Sequence, residues 1–176
     1  MTTEDTLPKF LARDPLVRFS VYSQIQAQTL RDLSNEITEL IDASIKDGQF
    51  VDGSKFQLIY GRFWMWVLGA YEVTRTMSEN TVCFSSNLNK KVAEFKAQIS
   101  VLRMPFAKLQ FKRCNKPISN EASIYSVDMD ARDFLFQVGD KKFPMRSLMK
   151  EFLGLLASIK PEDVLHDLRD AHQFKS

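Results

Sequence analysis

The most constraining feature of this 176-residue chain is a run of nine apolar residues at positions 63–71, bounded by Arg62 and Glu72. A membrane-spanning helix needs about 20 apolar residues, so the run is too short to cross a bilayer. Apolar residues continue at spacings of three and four from Phe56 to Val73, which predicts a helix that is apolar almost all round. Because such a helix must be covered on several sides, the sequence predicts a helical bundle with this helix at its centre.

A long helix is predicted before the central one, from Asp14 to about Lys46. Asp14 can cap its N-terminus, and Pro15 suits the first helical position. Another long helix is predicted from about Ser86, with an apolar residue at every third or fourth position as far as Leu109.

Pro105 lies inside this third long helix and removes one backbone donor. We therefore expect the helix to kink just after Arg103.

The last third of the chain changes from helical to strand periodicity and back. Residues alternate with a period near two around positions 123–139, which predicts a small β-hairpin. Gly139 and Asp140 could start a second turn that leads to a short strand at Lys142 and Phe143. A shorter helix is predicted from Pro144 or Ser147, and a final one from Pro161 to about His172. The predicted fold class is therefore mostly α: a helical bundle of three long helices plus shorter C-terminal helices, with a small inserted hairpin.

The composition indicates the compartment in which the protein acts and the kinds of molecule that it contacts. The length fits one domain, which we expect at residues 13–176 after a flexible tail at residues 1–12. The 24 basic and 22 acidic residues leave a formal net charge of +2, too small for a protein that coats nucleic acid or membranes. Only two cysteines are present, and residues 1–7 lack the features of an export signal. We expect a cytoplasmic protein that does not enter a membrane.

The sequence lacks the residues that several kinds of metal-binding, catalytic and phosphate-binding site require. His166 and His172 are the only histidines, and neither has a convincing metal-ligand partner. No serine lies in a nucleophile elbow, and no glycine-rich loop follows a strand into a helix. The sequence predicts no metal site and no cofactor.

Two charged groups are candidate functional residues. The first is a charged stripe on the central helix, formed at spacings of three and four residues by Glu72, Arg75 and Glu79. It is either a surface ion pair or part of a site. Glu72 is expected to have a partner because it adjoins the apolar run. The second group is a basic cluster without an acidic residue, either an anion site or a solvated helix end. It contains Arg103, Lys108, Lys112, Arg113 and Lys116.

Three segments resemble the HEPN superfamily: VLGAYEVTRTM at 67–77, LRMPFAK at 102–108, and SLMKEFLGLLASI at 147–159, after the hairpin. The resemblance implies a helical-bundle domain, commonly dimeric, in a family that contains metal-independent ribonucleases of toxin and phage-defence systems. The family pairs an Arg with a His, with four to six residues between them. Arg103 occupies the Arg position, but Lys108 and the two residues after it provide no His.

Lysine ordinarily titrates near 10.4 and stays protonated at neutral pH, so it does not replace a histidine base. The resemblance therefore implies a non-catalytic or weakened member that dimerises and binds RNA or a protein partner. Arg103 and Lys108 would line its site, and Glu72 would position them.

Two alternatives stay open. One is a ribonuclease that uses the same three residues for catalysis. The other is a structural adaptor whose helix–helix interface is built from aromatic residues, namely Phe63, Trp64, Trp66 and Tyr71. A homodimer is expected in any case, because the central helix has more apolar sides than a domain of this size is expected to cover.

Overall fold

The computed structural model describes residues 14–46, 50–108 and 122–169 of the chain. Its α-helices are α1 Leu16–Phe19, α2 Val21–Ser44, α3 Phe56–Glu79, α4 Ser86–Lys108 and α5 Met145–Ala157. A two-stranded ladder pairs β1 Ile45–Lys46 with β2 Phe50–Val51, and a three-stranded sheet contains β3 Ala122–Asp128, β4 Asp133–Val138 and β5 Lys141–Pro144. Short 3₁₀ segments lie at Gly53–Lys55, Thr81–Cys83 and Pro161–Asp163. The predicted fold class, mostly α with three long helices and a small β element, is confirmed.

Helix α3 forms the centre of the bundle, between α2 and α4. Phe63 and Trp66 on its buried side stack with an interplanar angle of 7°. Phe152 of α5 meets the Trp66 ring edge-on at a centroid distance of 5.6 Å. The buried indole N–H of Trp66 donates to the Oγ of Ser34 on α2 at 2.8 Å, so the core contains no unpaired donor at this point.

The first predicted helix is interrupted at Ser20. This residue has extended backbone angles, φ −165° and ψ 126°, and separates α1 from α2. Its hydroxyl oxygen accepts the backbone N–H of Ser23 at 3.3 Å, which caps α2. Serine side chains compete with the helix for backbone donors, so a periodic apolar pattern does not reveal such a break.

Helix α4 continues through Pro105 and ends at Lys108, with Pro105 in its last turn. The apolar stripe is buried as predicted from Leu88 to Phe106. Leu109, predicted to continue the stripe, lies outside the described residues.

The three-stranded sheet is antiparallel in the order β3-β4-β5, which confirms the predicted hairpin and the short strand expected after Gly139 and Asp140. Gly139 turns β4 into β5 with φ 56°, a conformation that glycine adopts at no steric cost. Phe136 of β4 packs into the helices, with its ring centroid 4.9 Å from Phe106 and 5.7 Å from Phe63. The sheet therefore covers the α3–α4 pair at the end where α4 terminates.

The predicted final helix from Pro161 to His172 is wrong for the part that the structure describes. Beyond Pro161–Asp163 the chain is not helical, and Val164 pairs with Phe84 in an antiparallel bridge. The N–H of Leu165 donates to the Cys83 carbonyl at 2.8 Å. The Leu165 donor thus bonds to a distant part of the chain and not to a helical turn. His172 lies outside the described residues.

None of the helices in the described ranges combines the length and apolar character that a membrane crossing requires.

Candidate functional site

Arg103 lies partly buried on α4, against the neighbouring helix α3. Its guanidinium carbon is 5.1 Å from the ring centroid of Tyr71, which is a cation–π contact. Its Nη1 donates to the Sδ of Met104 at 3.4 Å. Within the described residues, no carboxylate lies at salt-bridge distance from this guanidinium. Arg103 is therefore held in place by an aromatic ring and is not neutralised by a described acid.

Two polar contacts fix α3 and α4 in an antiparallel register. Toward one end, the Nζ of Lys96 donates to the Oγ of Ser78 at 2.7 Å. Toward the other, the indole N–H of Trp64 donates to the carbonyl of Phe106 at 3.1 Å. The last four carbonyls of a helix have no partner within it, so this indole caps the end of α4. Arg103 lies between the two contacts.

Lys96 is a candidate that the sequence interpretation missed. It precedes Arg103 by seven residues, which is about two helical turns and about 10.5 Å along α4, so both side chains lie on one face. No described carboxylate lies at salt-bridge distance from Lys96 either. The seven-residue spacing is visible in the sequence and would have identified this cation as a companion of Arg103.

Lys108 is exposed at the last residue of α4, and the structure does not bring it beside Arg103. Five residues at 100° each place the two side chains about 140° apart around the helix. The positive charge of Lys108 interacts favourably with the helix dipole at the C-terminal end of α4. The other members of the predicted basic cluster, Lys112, Arg113 and Lys116, lie outside the described residues.

Glu72 has the partner that the sequence predicted, and that partner is Arg75. Its Oε2 lies 2.6 Å from the Arg75 Nη2 and accepts a further bond from the Nε at 2.7 Å. Arg75 also contacts Glu79 at 3.1 Å. The hydrogen bonds that Arg75 donates to these two carboxylates raise its pKa, and the bond to Glu72 contributes most. Among the described contacts, Glu72 makes none with Arg103 or Lys108, so a role in positioning them stays a prediction.

The four aromatic residues of the adaptor alternative divide between the core and the surface. Phe63 and Trp66 are fully buried and are not available to a partner. Tyr71 is partly exposed under Arg103, and Trp64 keeps 41% of its surface exposed. An interface built from all four rings is therefore excluded.

Asp133, a buried acid in the sheet, was also not identified from the sequence. Asp133 of β4 is 2% exposed, and its carboxylate accepts the backbone N–H of Arg146 at 3.0 and 3.1 Å. Burial raises the pKa of Asp133, and backbone donors from Arg146, Ser147 and Phe134 partly oppose that rise. The side chain of Arg146 in turn pairs with Asp42 of α2 at 2.6 Å. These three residues, Asp133, Arg146 and Asp42, link β4, α5 and α2, and we assign them a structural role.

In the described ranges, His, Cys, Asp and Glu side chains do not gather in any group of three that could hold a metal. No protein-family model, no curated protein and no solved structure matches this chain.

Proposed function

We propose that this chain is an RNA-binding helical domain related to the HEPN superfamily, acting in the cytoplasm as a homodimer without cleaving its RNA. The observation that carries the proposal is the Arg103 guanidinium, which is held on the Tyr71 ring and is not neutralised by a described carboxylate. A fixed, unneutralised arginine is suited to a phosphate group, because its planar donors match phosphate oxygens.

The arrangement of positive charge favours an extended polyanion over a single phosphate. Lys96 and Arg103 lie on one face of α4, about 10.5 Å apart along the helix. Lys108 adds a further cation at the helix end, and the sequence continues with Lys112, Arg113 and Lys116. Distributed cations attract a nucleic-acid backbone, while the arginine provides a directed contact.

The absence of catalysis is proposed from the three candidate catalytic residues. Lys108 stands where the resemblance requires a histidine, and lysine is not a base at neutral pH without a large depression of its pKa. Glu72 is already engaged by Arg75 at 2.6 Å. The candidate catalytic set of Arg103, Lys108 and Glu72 thus lacks a proton acceptor that faces the arginine.

The test is an incubation of purified protein with end-labelled single-stranded RNA in EDTA, analysed on native and denaturing gels. The variants are Arg103→Ala and, as a matched control, Lys90→Ala, which removes one exposed charge near the start of α4. We expect a mobility shift that weakens in Arg103→Ala and persists in Lys90→Ala, with intact RNA on the denaturing gel.

Metal-independent cleavage that disappears in Arg103→Ala would replace the proposal with the ribonuclease alternative. The absence of any shift at low salt would reject RNA binding and favour a protein partner. Equal weakening in both variants would show that only net charge matters and would reject a directed role for Arg103.

A further inference from the structure

Two aromatic side chains in the first half of α3 remain exposed beside α4. Tyr60 and Trp64 keep 37% and 41% of their surface exposed. They are four residues apart, about 6 Å along α3, so both lie on the same face of the helix. Large rings that stay open to solvent on one helix face can stack with a planar partner.

Both rings are held by Phe106 near the C-terminal end of α4. The indole N–H of Trp64 donates to the Phe106 carbonyl at 3.1 Å. The Tyr60 ring meets the Phe106 ring edge-on, with a centroid distance of 5.8 Å. Because these contacts fix the rings before a partner arrives, a partner that stacks on them orders few side chains.

The exposed rings lie in line with Arg103 and Lys96. Tyr71, whose ring carries the Arg103 guanidinium, follows Trp64 by seven residues, which is about 10.5 Å along α3. Ser78, which accepts the Nζ of Lys96, follows Tyr71 by another seven residues. We define the α3–α4 ridge as this line of side chains, namely Tyr60, Trp64, Tyr71, Arg103 and Lys96.

The two helices supply positive charge along the α3–α4 ridge and little negative charge. The sequence of α3 contains no acidic residue before Glu72, and α4 contains none from Lys96 to Lys108. Glu72 and Glu79 of α3 both pair with Arg75. Exposed rings beside cations that no described carboxylate neutralises match a strand of bases and phosphates. An apolar protein surface would offer these cations no opposite charge.

We infer that an unpaired base of the bound RNA stacks on Trp64, with Tyr60 beside it, while Arg103 and Lys96 contact phosphates of the same strand. Bases in a duplex are already stacked on one another, so their faces are not available to a protein ring. The α3–α4 ridge therefore favours single-stranded RNA. This stacking position rests on the RNA binding of the proposed function and adds a contact to the base.

The test compares two labelled RNA strands of the same length, about 12 nucleotides, by fluorescence anisotropy. One strand is intact, and the other keeps its sugars and phosphates but has every base removed. The strand without bases retains the phosphate contacts and loses the stacking. We expect wild type to bind it about 5-fold or more weakly than the intact strand.

The variants separate the ring of Trp64 from its hydrogen bond. Trp64→Leu should weaken binding of the intact strand about 5-fold or more and leave binding of the strand without bases unchanged. Trp64→Phe also loses the bond to Phe106 but keeps a ring, so it should recover most of the affinity. Met65→Ala is the matched control, because Met65 is 51% exposed but lies about 100° further around α3. Thermal melting checks that each variant is folded.

Tryptophan emission reports the stacking directly. The chain contains two tryptophans, and Trp66 is fully buried. We expect the intact strand to quench the emission of wild type. The emission of Trp64→Phe, which comes from Trp66 alone, should not change.

Equal affinity of wild type for the two strands, with binding still weakened by Arg103→Ala, would reject the stacking position and leave RNA binding standing. The same conclusion would follow if Trp64→Leu weakened binding of both strands equally, or if wild-type emission did not respond to RNA. A wild-type protein that binds neither strand at low salt would overturn the stacking position together with the proposed function.

Discussion

Replacing Asp133 with alanine would remove the acceptor that caps helix α5. Pro144, the residue before the helix, has no side-chain acceptor, so the first backbone donors of α5 depend on a carboxylate from β4. That carboxylate accepts the N–H of Arg146 at 3.0 and 3.1 Å, and the N–H of Ser147 also bonds to it. The variant leaves both donors without their partner in partly buried surroundings.

The expected cost follows from two contributions. Loss of a helix cap costs about 1–2 kcal/mol, and a buried donor left without a partner costs about 1–3 kcal/mol. The desolvation that raises the pKa of Asp133 also shows that keeping its charge buried is unfavourable, and alanine removes that cost. We therefore expect Asp133→Ala to lower the free energy of unfolding by about 2–3 kcal/mol, or the melting temperature by roughly 5–10 °C.

Urea denaturation at neutral pH would measure this change, with Asp130→Ala in the exposed turn before β4 as the control. Asp133→Asn tests the pH dependence, since it cannot titrate. A raised pKa means that the folded chain binds the proton more tightly than the unfolded chain. Wild-type stability relative to Asp133→Asn should thus be greatest below the unfolded pKa of about 3.9 and should decline as pH rises through the higher folded value. An Asp133→Ala variant within 0.5 kcal/mol of wild type would refute the capping argument.

Two further predictions concern contacts between α3 and its neighbours. Ser34→Ala should lower the free energy of unfolding by about 1–3 kcal/mol, because the buried indole N–H of Trp66 loses its acceptor; an unchanged urea midpoint would contradict this. A double-mutant cycle combining Tyr71→Leu with Arg103→Ala should give a coupling energy of about 0.5–1 kcal/mol, and strictly additive effects on unfolding would show that the stacking contributes nothing.

The sequence predicts the elements whose signals are local. The apolar spacing around Phe63 predicts the central helix, and the change to a period of two, with Gly139 at a turn, predicts the sheet. The ion pair between Glu72 and Arg75 follows from their spacing of three on a helix. Each of these features depends on residues that are close together in the chain.

Features that depend on distant partners could not be predicted in this way. The backbone of Leu165 bonds to Cys83, so the helical pattern after Pro161 is not realised. Asp133 caps a helix that begins twelve residues later, and no short sequence motif predicts such a cap. The cation–π contact between Arg103 and Tyr71 requires the α3–α4 register, which the sequence alone does not provide.

The most direct test of the proposed function is the salt dependence of RNA affinity. Fluorescence anisotropy of a labelled single-stranded RNA would give the affinity over a series of KCl concentrations for wild type and Arg103→Ala. Each phosphate contact contributes about 0.7 to the slope of log affinity against log salt for a single strand. We expect weaker binding by Arg103→Ala and a slope smaller by about 0.7. Identical affinities and slopes for the two proteins, or no binding at low salt, would contradict this expectation.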